Sequence, residues 1–263
     1  MSFVTLTTDF GGGGGVMRGV IWGIAPQAKI ADLTHNVPPQ DIRMAAWLLE
    51  QSVYYYPANS VHIVVVDPGV GTERRPIAVQ AGTQLFVGPD NGVFSLVYQH
   101  AEKMGWPLKI VHTNKPEYWL PEVSEIFHGR DIFSPVGAHL AGGVAIEDLG
   151  EVVNDPVRIP LPQPEIGETE ANGEVILLYS YLGNIISNIH RSQLPPIKDF
   201  SKVRVQIGER TIEGLKRTFG ESETGSLIAL FGSTDLLIVS VVNGSAVELL
   251  KPQIGDKIKL IYG

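Results

Sequence analysis

The chain contains no cysteine. That excludes disulfides, thiolate metal sites and a cysteine nucleophile, and it is neutral about compartment. An excess of positive charge is also missing: 20 Lys and Arg stand against 28 Asp and Glu, a formal net charge of −8. A balance of that sign argues against a nucleic-acid partner. Apolar runs are short, and none approaches the roughly 20 residues that cross a bilayer. The opening residues MSFVTLTTDF have neither a charged leader nor a long apolar core, so no secretory signal is expected there. These absences leave a cytoplasmic protein without a membrane partner as the expectation. At 263 residues and 44% hydrophobic, the chain is long enough to bury a full core in two domains.

What is present centres on Val64–Val79, VVVDPGVGTERRPIAV. The β-branched run into Asp67, bounded by Pro68 and Gly69, reads as a buried parallel strand. Asp67 then stands at the carboxyl edge of that strand, where open α/β sheets bind ligands. Gly71 shapes a loop that returns Arg74 and Arg75. Two readings stand: a reaction centre, or an acid bonded to its own turn amides beside solvated arginines.

Around this stretch, Phe3–Thr8 reads as the first strand, followed by Asp9, Phe10 and the glycines Gly11–Gly15, then a helix over Val16–Ile24. Strand, glycine loop and helix open a doubly wound unit. Val16 stands where a dinucleotide fingerprint requires its third glycine, so that motif is excluded. The glycines serve either as a flexible connection or as a close approach to a ligand. Further on, strands are expected at Lys29–Leu33, Val61–Val66, Ile77–Gln80, Gln84–Val87 and Lys109–Thr113. Helices are expected at Ile42–Tyr55, capped by Asp41, at Val93–Met104 and at Ile132–Ala141. Phe127-His128-Gly129-Arg130-Asp131 precedes the last of these. Asp131 suits its first turn through the helix dipole. His128 sits in the loop, as a structural hydrogen-bonder or a cleft residue. His139 reads as packing, and the other histidines have no special context.

Val153–Gly173, rich in proline and acids, reads as a linker. Beyond it, strands are expected at Gly173–Tyr179, Val203–Ile207, Arg210–Ile212, Ser226–Phe231, Leu236–Val242 and Lys257–Tyr262, a small β-barrel or sandwich. Leu182-Gly183-Asn184 reads either as a turn or as an amide that reads a base edge. The loops Thr218-Phe219-Gly220 and Phe231-Gly232-Ser233 each carry one aromatic.

Taken in order, TTDFG, VDPGVGTERR, GPDNG, FHGRD, LGNIISNI, TFG and NGSAVELL resemble the S-adenosylmethionine (SAM) hydroxide adenosyltransferases, water-using relatives of the fluorinase and chlorinase. The resemblance runs over nearly the whole chain, and VDPGVGTERR and FHGRD are its most specific parts. It implies an α/β fold: an N-terminal doubly wound α/β domain over 1–155, a linker over 156–172 and a C-terminal antiparallel β-barrel over 173–263. It implies conversion of SAM and water to adenosine and methionine, with no metal and no cofactor. It also implies a homotrimer whose sites lie between the N-terminal domain of one subunit and the C-terminal domain of the next. Asp67, Arg74 and His128 match the set that handles the water. Asp9 matches the carboxylate on the ribose hydroxyls, Asn184 the adenine-reading amide, Phe219 the aromatic near adenine, and Ser233 a residue near the methionine carboxylate. Arg75 is the rival to Arg74.

The chain departs from the pattern in a shortened Gly11–Gly15 loop, in Ser180 where an Asp is usual, and in Leu182 where an aromatic is usual. All three bear on SAM binding, the lost Asp on the methionine amino group. Attack at the ribose C5′ expels a neutral thioether, so the leaving group needs no acid. The water must lose a proton, to Asp67 or His128, beside a guanidinium that stabilises hydroxide-like charge. Two rival readings remain: a divalent-metal phosphohydrolase built on Asp9, Asp67, His128 and Asp131, and a SAM or adenosine sensor without turnover.

Overall fold

Phe3–Thr8 forms β1, whose Val4 and Leu6 are fully buried, and the next two strands of the chain pair with it, one on each side. The computed structural model describes residues 2–263, in two compact units that meet in sequence at Ile159/Pro160.

In the first unit, β1 leads into α1 (Gly15–Ile24), β2 (Lys29–Thr34), α2 (Ile42–Ser52) and β3 (Val61–Val65). It continues with β4 (Pro76–Ala81), β5 (Gln84–Pro89), α3 (Ser95–Met104), β6 (Leu108–His112), α4 (Ser134–Ala141) and β7 (Glu151–Val152). The sheet runs β2-β1-β3-β5-β4-β6-β7. The first four strands in that order pair parallel, and β4, β6 and β7 pair antiparallel, so the sheet is mixed. Every residue of β3 is buried, as expected for an apolar run in a covered parallel strand. Val4, Leu6 and Ile63 share one core with Met17 and Ile21 of α1 and Val136 and Leu140 of α4. Gly137 lets α4 lie close on β3: a Cβ there would stand 2.4 Å from Ile63 Cδ1. Asp41 caps α2 by accepting from the Met44 amide at 2.9 Å. The chain from Asp155 to Ile159 is tied to this unit, with Val157 N donating to Asp90 and Ile159 N to Ser95.

One expectation changes here. The helix expected to start at Ile132 is preceded by one wide turn, Gly129–Phe133, with i→i+5 bonding, and α4 itself begins at Ser134. Asp131 stands in the first turn of that wide helical segment. Its carboxylate accepts from both the backbone N–H and the hydroxyl of Ser124, at 2.9 and 2.8 Å.

The second unit holds β8 (Glu165–Ile166), β9 (Glu170–Tyr179), β10 (Asn184–His190), β11 (Arg204–Ile207), β12 (Arg210–Glu213) and β13 (Leu215–Lys216). After these come β14 (Leu227–Phe231), β15 (Leu236–Val241), α5 (Ala246–Leu250) and β16 (Lys257–Ile261). Its strand path is β12-β11-β16-β9-β10-β15-β14-β13, with β8 added beside β9. The two ends of the path, β12 and β13, are consecutive in the chain through Gly214, which makes the sheet nearly barrel-shaped. Pairing is antiparallel except for the two-residue match of β13 with β14. Val175, Ile185, Val205, Leu237, Val239 and Leu260 fill its core. The strand β10 was not among the sequence expectations. Its Gly-Asn opening suggested a turn, but Ile185 and Ile189 turn inward and carry the segment into the sheet.

Candidate active site

The parallel register sets Thr7 opposite Val64 and Thr8 opposite Val65, so β1 and β3 end side by side. The chain leaves β1 for β2 on one flank, and β3 takes the other. Ligands of α/β sheets bind at the carboxyl ends beside such a reversal. Asp9 follows β1, Asp67 follows β3, and a cleft of about 280 Å³ opens between them, lined also by Phe10, Gln40, Phe127 and His128.

Arg74 joins the group together. Its Nε donates to Asp67 Oδ1 at 2.9 Å and its Nη2 to Asp67 Oδ2, a two-pronged pair. The same Nη2 lies 2.9 Å from Nδ1 of His128. A guanidinium only donates, so Nδ1 accepts, and the neutral ring carries its proton on Nε2. The Arg74 and Asp67 side chains are only 8% and 5% exposed, so their attraction is little screened by water. Beneath them the Phe133 ring centre lies 5.1 Å from the Arg74 guanidinium carbon. Burial, and then the charge of Arg74, push the His128 pKa below its ordinary value, against the opposing pull of Asp67. His128 is accordingly neutral at pH 7.

Two contacts hold the loops that carry these groups. Gly71 has φ +76°, and a Cβ there would stand 2.6 Å from the Glu125 carbonyl oxygen, so the Asp67 loop lies directly on the 124–128 loop. Asp131, fully buried, fastens that second loop through Ser124, whose hydroxyl also accepts from Phe127 N at 3.1 Å. Phe127 meets Phe10 edge-on, with ring centres 5.7 Å apart. Sequence reasoning assigned no role to Phe10, Phe127, Phe133 or Ser124. Only the aromatics inside TTDFG and FHGRD were visible as a signal.

Asp9 accepts from the Gln40 backbone N–H at 2.8 Å through Oδ2. Part of the adjoining glycine run answers to a histidine. Gly11 N donates to the His35 carbonyl at 2.8 Å, and a Cβ on Gly14 would fall 2.6 Å from the His35 ring. Arg75 turns away from Asp67 and binds Asp90 and Asp155. Asp131 is occupied by Ser124 and Arg130, and among the described residues no group of three or more Asp, Glu or His is arranged to hold a metal.

In the second unit Asn184 opens β10, and its Oδ1 accepts from the Ser240 hydroxyl at 2.7 Å, which leaves its amide NH₂ to donate elsewhere. Ser233 is exposed in the turn between β14 and β15. It lies at the opposite end of β15 from the Ser240 that meets Asn184. Phe219 is 40% exposed at a turn after β13. Ser180 and Leu182 are exposed in the β9–β10 turn.

Comparison with known proteins points the same way for both units. Residues 4–150 match the SAM hydroxide adenosyltransferase N-terminal domain and residues 173–259 match the corresponding C-terminal domain. A protein of Salinispora tropica named (R)-S-adenosyl-L-methionine hydrolase is 37% identical over 99% of this chain and 98% of its own. A protein of the same name from Thermus thermophilus is 38% identical over 94% and 93%. A crystal structure of a conserved protein from Thermotoga maritima matches with a TM-score of 0.84, at 33% identity, over 99% of this chain and 100% of that one. The chain thus belongs to the SAM hydroxide adenosyltransferase family.

Proposed function

We propose that the chain hydrolyses SAM to adenosine and L-methionine, by attack of water on the ribose C5′. The observation that carries the reading is the buried Asp67–Arg74–His128 group at the carboxyl ends of β1 and β3. In the proposed reaction a water oxygen bonds to C5′ as the C5′–sulfur bond breaks. The sulfonium takes up the electron pair and leaves as the neutral thioether of methionine. No Lewis acid is needed for such a leaving group. The water proton is the only difficult one. His128 Nδ1 already accepts from Arg74, whereas each Asp67 oxygen has a second lone pair, so Asp67 is the better-placed acceptor. Arg74 stays fixed against Asp67 and offsets the developing hydroxide charge. Asp9 takes the ribose hydroxyls, Asn184 and Phe219 hold the adenine, and Ser233 meets the methionine carboxylate.

The same reading extends to organisation. A doubly wound domain over 1–155, a linker over 156–172 and a barrel over 173–263 assemble as a cytoplasmic homotrimer with the site between subunits. The test is product analysis: SAM incubated in ¹⁸O-water with a chelator yields adenosine labelled at the 5′ oxygen. Unlabelled adenosine, or loss of turnover with chelator, contradicts the reading. Binding of adenosine with no turnover at all would favour a sensor.

A further inference from the structure

The second unit contains a cavity unlike the rest of this acidic chain. It measures about 640 Å³ and shares no lining residue with the Asp67 cleft. Its wall holds four cations, Arg191, Lys198, Lys216 and Arg217, against one carboxylate, Asp199. Elsewhere most cations are spent on carboxylates: Arg18 on Asp32, Arg75 on Asp90 and Asp155, Arg158 on Glu102, Lys259 on Glu170. No carboxylate among the described residues forms an ion pair with any of these four. Asp199 is turned to its own backbone, accepting from Ser201 N and Oγ at 3.0 and 2.6 Å, with Lys202 at 3.9 Å. Glu221 accepts from the backbone N–H of Arg217 at 3.1 Å.

Arg191 is held in place. Its guanidinium carbon lies 5.5 Å from the Phe200 ring centre and 5.9 Å from that of Phe231, and its backbone N–H donates to the Asp235 carbonyl at 2.8 Å. With its carbon seated by two rings, the guanidinium still has its N–H donors for a ligand. Arg191 covers one face of each ring. The cavity is far larger than the roughly 30 Å³ that one water occupies in the liquid. The charge of four cations exceeds what one carboxylate offsets, and guanidinium forks match phosphate oxygens.

We propose that this cavity binds the oligophosphate group of a small molecule. The proposal stands independently of the hydrolase reading. Phe219 and Ser233 each lie two residues along the chain from a lining residue, so the test must separate the two sites.

The full-length chain is titrated calorimetrically with inorganic triphosphate near physiological salt, with orthophosphate and citrate as comparison anions. The expected result is saturable binding at one site per chain, tighter for triphosphate than for orthophosphate or citrate, and weakening as salt rises. Arg191→Gln and Lys216→Gln each weaken it by about tenfold or more, with melting temperature and SAM turnover retained. Lys103→Gln, which removes a charge from the other unit, leaves it unchanged. Four outcomes overturn the proposal: no saturable binding, equal loss in all three variants, displacement of triphosphate by SAM or methionine, or a change in oligomeric mass as the only effect of Arg191→Gln.

Discussion

At the scale of single residues, the account turns on what Arg74 touches. The resemblance favours Arg74, with the adjacent Arg75 as its rival, and the fold sends the first to Asp67 and the second to Asp90 and Asp155. Their residue types were legible, but their partners lie 7 and 15 residues away from them, and only folded geometry pairs them. His128 shows the same limit. Its place in a loop was legible, whereas its tautomer follows from a donor 54 positions away. A prediction about pH belongs here. Because burial and Arg74 lower the His128 pKa, the ring stays neutral to lower pH than a free histidine. If the neutral ring is the working form, turnover holds as pH falls through the ordinary histidine range and declines only below it. NMR titration of the His128 ring beside the pH–rate profile checks this, and an acid limb at or above the ordinary value contradicts it.

Elements were more legible where local pattern and burial agree. The strands β1, β3 and β5 and the cap of α2 stand within two residues of their expected positions. The wide turn Gly129–Phe133 was not legible, because its reason is non-local: Asp131 reaches back to Ser124 and shapes the loop that carries His128. Nor was β10, whose first residues carry turn chemistry while its later isoleucines carry the strand. The loop gives an element-scale prediction. Asp131→Ala releases Ser124 and lets the 124–128 loop shift, and misplacement by an ångström costs on the order of 10²-fold in rate. SAM turnover falls accordingly while adenosine affinity is kept, and Asp131→Asn, which retains an acceptor oxygen, restores part of the loss. Equal loss of binding and turnover would mean that Asp131 supports the fold at large rather than the loop.

At the scale of the whole molecule, the mixed α/β class was legible, while the long-range polar core was not. His62, without any sequence context, is buried in the first unit between Thr5 and Gln84, and burial brings its pKa down from 6.5 to about 4. The folded state therefore binds fewer protons than the unfolded one between those values. The His62 contribution is fully present above pH 6.5 and is lost progressively as pH falls toward 4. The loss amounts to about 3 kcal/mol at 1.36 kcal/mol per pKa unit. Denaturant titrations of wild type and His62→Gln should differ by that pH-dependent amount, and parallel curves would contradict the assignment. The central claim, that Asp67 acts on the attacking water and not on the nucleoside, has one direct measurement: adenosine affinity and SAM turnover determined side by side for Asp67→Asn. The account predicts a loss of turnover on the order of 10²–10⁴ with adenosine affinity nearly unchanged; near-normal turnover, or abolished adenosine binding in a folded variant, would contradict it.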